Sequence, residues 1–501
     1  MTRTSARDLI NRVLDSGSAI SWDTPPEYGD ISDDYRAALE RAKERSGLDE
    51  AVTIGEGTIG GRPIAYVVSE FSFLGGSIGE ATARRIIDGI HQATDRGLPL
   101  LISPSSGGTR MQEGTKAFAL MISITTAVYR HKDRKLPFLV YLRDPTMGGV
   151  MASWGSAGHI TFAEPNALLG FLGPRVVEIA TGTPMPDGVQ VAENLVNAGV
   201  IDGVVPVDAL APAVAKLIDV LAPAAPSAPL EVDEDLIITE PTEQMREKSA
   251  WEAITLTRDP SRPTLANLME HLPANTVLLH GSGDGRKSDA VKVAITQLGG
   301  MPIMLIGQNR ASEEPLGTNA LRMARRGISL AKSFNLPLVS IIDTDGAELS
   351  QYAEEHGLAG SIGRTLGELV DADVPTVSVI LGQGCGGGAL AMLPSDVVLC
   401  AENGWLSPLP PEGASAILYR DADHAPEMME TDGVKATDLM DSGLIDGIIP
   451  ELPNAADEPD EFIERVLTAI HASLEELHTT PQRVGREQRF VHYEKLAQLQ
   501  Q

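Results

Sequence analysis

The chain has 501 residues, with 69 acidic against 40 basic side chains, a formal net charge of −29 and only two cysteines. That charge disfavours nucleic acid and anionic membrane surfaces as partners, and two cysteines cannot supply a four-cysteine zinc site or a disulfide framework. The length holds more than one hydrophobic core. No apolar run reaches about 18 residues, and the N-terminal MTRTSARDLINRVL has no signal-peptide core, so a soluble cytoplasmic protein is expected.

In chain order, Leu9, Ile10, Val13 and Leu14 recur at helical spacing behind Ser5, which predicts a capped helix over 5–14. A second helix is predicted over 33–46, ended by Gly47. Residues 51–54 and 63–68 read as strands around GEGTIGGR. Gly55, Gly57 and Gly60 satisfy G-x-G-x-x-G there, but a strand follows instead of a helix, so a hairpin is expected. Gly75-x-Ser77-x-Gly79 has the form of a nucleophile elbow before a helix over 80–90, yet no histidine is placed to complete a triad.

From Leu98 the pattern becomes strand, glycine loop, helix. Residues 98–102 lead into Ser106-Gly107-Gly108-Thr109-Arg110, and residues 136–140 into DPTMGGV at 144–150. Strands and helices alternating over such short connections predict an α/β domain with crossovers stacked on a sheet. The Ala/Pro-rich and acidic stretch after residue 211 predicts a linker at 226–249, between domains at 1–225 and 250–501.

The second half replays the first about 240 residues on, a length that marks whole domains. Leu336-Pro337 precedes Asp343-Thr344-Asp345-Gly346-Ala347 as Leu98-Pro99 precedes the first glycine loop. Val374-Pro375 precedes LGQGCGGGALAM (381–392) as Leu136-Pro137 precedes DPTMGGV, and DLMDSGLIDGIIP matches NLVNAGVIDGVVP. Within 381–392, Gly382, Gly384 and Gly387 fit a dinucleotide fingerprint, with Glu402 where the ribose-binding acid would stand. The counterpart DPTMGGV keeps only adjacent glycines. Shared function is therefore sought in the shared feature: Gly148-Gly149 and Gly387-Gly388, read as counterparts, each at a helix start that presents backbone N–H groups.

These motifs carry a resemblance. The first half resembles the carboxyltransferase β subunit of bacterial acetyl-CoA carboxylase through RAKERSGLDEA, FSFLGGSIG, SSGGTRMQEG, DPTMGGV and AEPNALLGFLGPRV. The second half resembles the α subunit through AWEAITLTRDPSRPT, IGQNR, IIDTDGA, GQGCGGGALAM and SPLPPEGASAIL. The resemblance implies two tandem crotonase-like domains of the ββα spiral type. It implies carboxyl transfer from carboxybiotin, on a separate biotin carboxyl carrier protein loaded by a biotin carboxylase, to acetyl-CoA, giving malonyl-CoA for fatty acid synthesis. It also implies a homo-oligomer whose first domain holds the CoA thioester and whose second holds biotin.

Carried over by motif, Gly148, Gly149, Gly387 and Gly388 are the expected oxyanion donors. Gly107, Gly108, Arg110, Gly346 and Ala347 are the expected binding residues, Arg110 toward a CoA phosphate or, alternatively, in a surface salt bridge. No metal is expected: the four-cysteine zinc ribbon common in β subunits is missing, the first cysteine being Cys385. Cys385 is expected to pack beneath its loop, and Met111, Met147 and Met151 to fill core. Asp345 stands where the family usually has proline. A fused malonate decarboxylase subunit and a non-catalytic carboxyltransferase-like partner stay open as alternatives.

Overall fold

A computed structural model describes residues 3–222 and 236–496. The chain divides into two compact units, Met1–Asp219 with Gly283–Gly285, and Val220–Ser282 with Arg286–Gln501. Residues 226–235 of the expected linker lie outside the described residues. Residues 236–249 belong to the second unit, where a short helix, Glu243–Glu247, precedes Lys248, whose Nζ lies 2.8 Å from the Glu402 carboxylate.

In the first unit, Ser5 Oγ accepts from the Asp8 amide at 3.1 Å to start the helix Ala6–Val13. The helix Asp33–Ser46 ends at Gly47, with φ +71. The GEGTIGGR stretch is the expected hairpin. Strands β1 (Val52–Ile59) and β2 (Arg62–Ser69) pair antiparallel around Gly60 and Gly61, both in the left-handed region. Helix α1 (Glu80–Asp95) then returns the chain to β3 (Leu100–Ser103). Helix α2 (Gly114–Asp133) leads to β4 (Phe138–Leu142), followed by β5 (Ile160–Ala163) and β6 (Gly203–Val204). From β2 onward all neighbours are parallel. Strands β3 and β4 are buried along their whole length, as LLIS and FLVYL require of parallel strands covered on both faces.

The second unit repeats this order. Strands β7 (Val291–Leu298) and β8 (Met301–Gln308) form a hairpin closed by Gly299 and Gly300. Helix α3 (Thr318–Phe334) precedes β9 (Leu338–Thr344), and β10 (Thr376–Cys385), β11 (Val397–Ala401) and β12 (Gly447–Ile449) complete the parallel run. Both units are the strand–strand–helix spiral expected of a crotonase-like fold. A final long helix, Pro459–Thr479, buries Phe462, Val466 and Ile470 in the second core.

Candidate active site

In the first unit two glycine loops meet at the carboxyl ends of β3 and β4. Ser106 bridges Thr146 in parallel, the Ser106 amide donates to Pro145 O at 2.7 Å, and the Met147 amide donates back to Ser106 O at 2.9 Å. Gly108, at φ +117, closes its turn by donating to Ser106 Oγ at 3.0 Å. Gly148 opens a one-turn helix, Gly148–Met151, at φ +64, a conformation that glycine adopts without strain.

The four loop glycines differ in what their amides already do. Gly107 donates to Gly75 O at 2.9 Å, Gly148 donates to Phe171 O at 2.9 Å, and Gly108 is held by Ser106. Gly149 sits in the first turn ahead of the helix's own ladder and has no acceptor among the described residues. A Cβ on Gly108 would lie 3.9 Å from the Gly149 nitrogen, so the bare Gly108 backbone leaves room for an oxygen there.

The second unit builds the same frame. Gly346, at φ +136, donates to Thr344 Oγ1 at 3.1 Å, and Leu316 bridges Ala347 as Ile78 bridges Thr109. Thr344 pairs with Gly384, as Ser106 pairs with Thr146. Cys385 is then the counterpart of Met147, and Gly386, at φ +63, opens the helix Gly386–Leu390 as Gly148 opens its own. This corrects the pairing read from the sequence by one residue: Gly148-Gly149 corresponds to Gly386-Gly387. Gly388 corresponds to Val150; both are buried, and a Cβ on Gly388 would come within 2.7 Å of Leu316 Cδ2. Gly387 is the half-buried counterpart of Gly149, and neither its amide nor that of Ala347 has an acceptor among the described residues.

Arg110 also needs correcting. It is 0% exposed, and its guanidinium donates to both Glu50 oxygens (2.7 and 2.9 Å), to Ser77 O (2.9 Å), to Thr82 Oγ1 (2.9 Å) and to Tyr35 OH (3.1 Å). Burial alone would raise the Glu50 carboxyl, but the hydrogen bonds and charge of Arg110 hold it below its usual range. With every donor direction taken inside the unit, Arg110 fixes the glycine loop against the start of α1 and does not reach a CoA phosphate. Ser77 Oγ accepts from Arg110 Nε at 3.3 Å. Glu402 is tied to Lys248, and Gly382 and Gly384 lie inside β10, so no phosphate loop follows that strand.

Cys385 is buried beneath the second loop, its sulfur 3.7 Å from where a Cβ of Gly346 would be. Burial pushes its thiol up to about 12, which leaves it inert as a nucleophile. Met147 is core and Met151 packs on the core, whereas Met111 is 83% exposed and fills none. Among the described residues no cluster of His, Cys, Asp or Glu could hold a metal ion. No helix there is long and apolar enough to cross a membrane.

The surroundings of the two frames differ. Gly149 lies in the wall of an apolar groove of about 1000 Å³ whose other walls include Phe118, Met121, Ile122, Tyr129 and Phe171. Asp345, exposed, lines a polar cavity of about 550 Å³ with Arg258, Arg310, Gln383 and Glu412. Arg258 forks onto Glu412 at 2.6 and 3.0 Å, and Arg310 Nε lies 3.0 Å from the buried Asp343. Sequence reasoning missed both linings. The arginines come from segments far apart in the chain, and the groove-facing side of α2 reads as core.

A family profile described as acetyl co-enzyme A carboxylase carboxyltransferase-like matches residues 234–497. A Mycobacterium tuberculosis protein described as a probable biotin-dependent acyl-coenzyme A carboxylase beta3 subunit is 48% identical over 96% of this chain and 96% of its own. The acetyl-coenzyme A carboxylase carboxyl transferase subunits beta/alpha of Saccharopolyspora erythraea is 34% identical over 95% of this chain and 86% of its own. Among solved structures, transcarboxylase 12S, a hexamer with methylmalonyl-CoA bound, superposes with a TM-score of 0.73 at 20% identity. It covers 95% of this chain and 90% of its own, and at that identity it speaks for the fold.

Proposed function

Because the chain belongs to the acetyl-CoA carboxylase carboxyltransferase-like family of biotin-dependent enzymes, we propose that it transfers the carboxyl group of carboxybiotin, borne by a separate carrier protein, to an acyl-CoA, with acetyl-CoA as the smallest acceptor and malonyl-CoA its product. The observation that carries this reading is the Gly149 amide. Among the described residues this main-chain donor has no acceptor; it is half-buried at a groove mouth and has a counterpart at Gly387 in the second unit.

Removing a proton from the α carbon of a thioester puts charge on the carbonyl oxygen. A fixed N–H such as that of Gly149 lowers the barrier because it needs no reorientation as the charge develops. Gly107, Gly108 and Gly148, their amides engaged, hold the loop that aims it. In the second unit the amides of Gly387 and Ala347 face the same task for the ureido oxygen of biotin, with Gly346 and Gly386 shaping the turn and Gly388 packing behind it. Carboxybiotin supplies the carboxyl group and, once that has left, a nitrogen able to take the α proton. No side-chain base is then required, which agrees with a site built from glycines. The reading includes biotin carboxylase and biotin carboxyl carrier protein as partners, a homo-oligomer, a cytoplasmic setting and a role in fatty acid synthesis.

The test runs the reaction backwards, supplying the full-length chain with malonyl-CoA and free biotin or biotinylated carrier. Biotin-dependent appearance of acetyl-CoA is expected. Gly149→Pro deletes the donor at a first-turn position that accepts proline, and it should lower turnover about a hundredfold or more. Gly387→Val should act in the same direction. Absence of turnover with acetyl-, propionyl- and malonyl-CoA, together with absence of CoA binding, overturns the reading.

A further inference from the structure

The frame of the second unit rests on a side chain that the first unit lacks. Strand β9 pairs with β10 as far as Ile342 and Ile380, then shifts register before Thr344 meets Gly384, so that residues 381–383 of β10 stand opposite Asp343 alone. Ladder pairing lapses across such an irregularity. Asp343 is 1% exposed, and side chains and stray amides complete its bonding. Its amide donates to Gln308 Oε1 at 3.1 Å, while its carboxylate accepts from the Gln383 amide and from Arg310 Nε, each at 3.0 Å.

Gln308 ends β8 and is itself 1% exposed. Its Nε2 donates to Gly388 O at 2.7 Å. That carbonyl needs the donor because the short helix Gly386–Leu390 tightens as it ends. The Met392 amide, which a continued α-helix would bring to Gly388 O, donates to Ala389 O at 3.1 Å instead. With an N–H facing one end of the carboxamide and a carbonyl facing the other, its orientation is fixed. One side chain therefore ties together the loop that leads through Thr344 to Ala347 and the glycine turn that carries Gly387. The two come close: the Ala347 nitrogen is 3.5 Å from where a Cβ on Gly388 would stand.

Apolar packing at the turn is less directional. The segment after the Gly346 loop is broken into two helices, Gln351–Glu355 and Leu358–Val370, and Ile362 of the longer one puts its Cδ1 3.1 Å from where a Cβ on Gly387 would stand. In the first unit α2 is unbroken, and β2 ends at Ser69 where β8 ends at Gln308. Ser69 Oγ is buried and has no hydrogen-bond partner among the described residues, so no side chain there links the loops in this way.

Resting on the carboxyltransferase reading above, we infer that Gln308 is a positioning residue of the second unit. It sets the spacing of the Gly387 and Ala347 amides, and with it how firmly the ureido oxygen of biotin is held as charge gathers there. It touches neither substrate nor cofactor. Its effect is large because fixed donors lose their advantage once they are displaced or free to reorient. The first frame, which lacks this link, does not depend on it.

The experiment compares the full-length chain with Gln308→Met, which keeps the length and loses both hydrogen bonds, and Gln308→Asn, which is one methylene too short to make both. The quantities read are kcat/KM for free biotin in the reverse reaction with malonyl-CoA, the dissociation constants of biotin and of malonyl-CoA, and the melting midpoint. In each variant kcat/KM for biotin should fall by about tenfold or more and biotin should bind more weakly. Malonyl-CoA, which the reading assigns to the first unit, should bind as before. Gln308→Asn, the milder change, decides the matter where Gln308→Met does not fold. A lower melting midpoint with unchanged kcat/KM for biotin makes Gln308 an ordinary buried hydrogen bond and overturns the inference. An equal loss of malonyl-CoA affinity marks a general loosening and overturns it too. A native chain that binds no thioester and shows no biotin-dependent turnover fails earlier, at the carboxyltransferase reading itself.

Discussion

His131 shows how a single residue outside the site ties stability to pH. It ends α2 wholly buried, its Nδ1 2.9 Å from Thr94 Oγ1, and burial pushes it down to about 4 from 6.5. A group depressed on folding stabilises the native state above its unfolded value and loses that contribution as pH falls toward the folded one. Between pH 6.5 and 4 the native chain should therefore lose on the order of 3 kcal/mol through this residue. His131→Gln should flatten that part of the profile, read as the denaturation midpoint against pH; an unchanged slope would assign the loss to other groups. Arg110 teaches a different lesson. From sequence this arginine after a glycine loop reads as a phosphate ligand or a surface salt bridge, and only its burial against Glu50 reveals it as a fixed brace.

At the scale of elements, the hairpin at GEGTIGGR, the caps at Ser5 and Gly47 and the strand–loop–helix order were legible because local chemistry dictates them. The two G-x-G-x-x-G matches, already set aside on sequence context, have a definite structural reason. Gly55 and Gly384 both lie inside strands, where an added Cβ would come within 2.5 Å of Trp405 O at Gly384 and would meet the Ile20 carbonyl and the Tyr66 ring at Gly55. They serve close approach of strands, and a regular expression cannot tell that from close approach of a phosphate. Gly384→Ala should therefore act on stability, at a cost of about 1–3 kcal/mol from the forced backbone shift. Its thermal midpoint should fall; a loss of turnover at normal stability would place Gly384 in the site instead. The one-residue error in matching Gly148-Gly149 also lies at this scale: three successive glycines, Gly386, Gly387 and Gly388, offer two registers, and left-handed φ at Gly386 selects one.

At the scale of the whole chain, the duplication was legible because landmark motifs recur in order. What fills the space beside each frame was not, since that depends on whether the helix after the loop is continuous or broken. The chain's two cysteines, both buried, are too few to build the four-cysteine ribbon common in β subunits. Dialysis against a chelator should leave both turnover and thermal midpoint unchanged, checked by metal analysis before and after. A fall in either that zinc restores would show that a ribbon-like function persists elsewhere.

The donors proposed at Gly149 and Gly387 are main-chain atoms. A side-chain donor disappears with one substitution, but an amide persists through every replacement except proline and is lost only when the path of the chain changes. Such a site writes its chemistry in the course of the backbone and leaves the surrounding letters free to drift. The spaces beside the two frames can then change independently, one copy at a time, while the frame itself is kept.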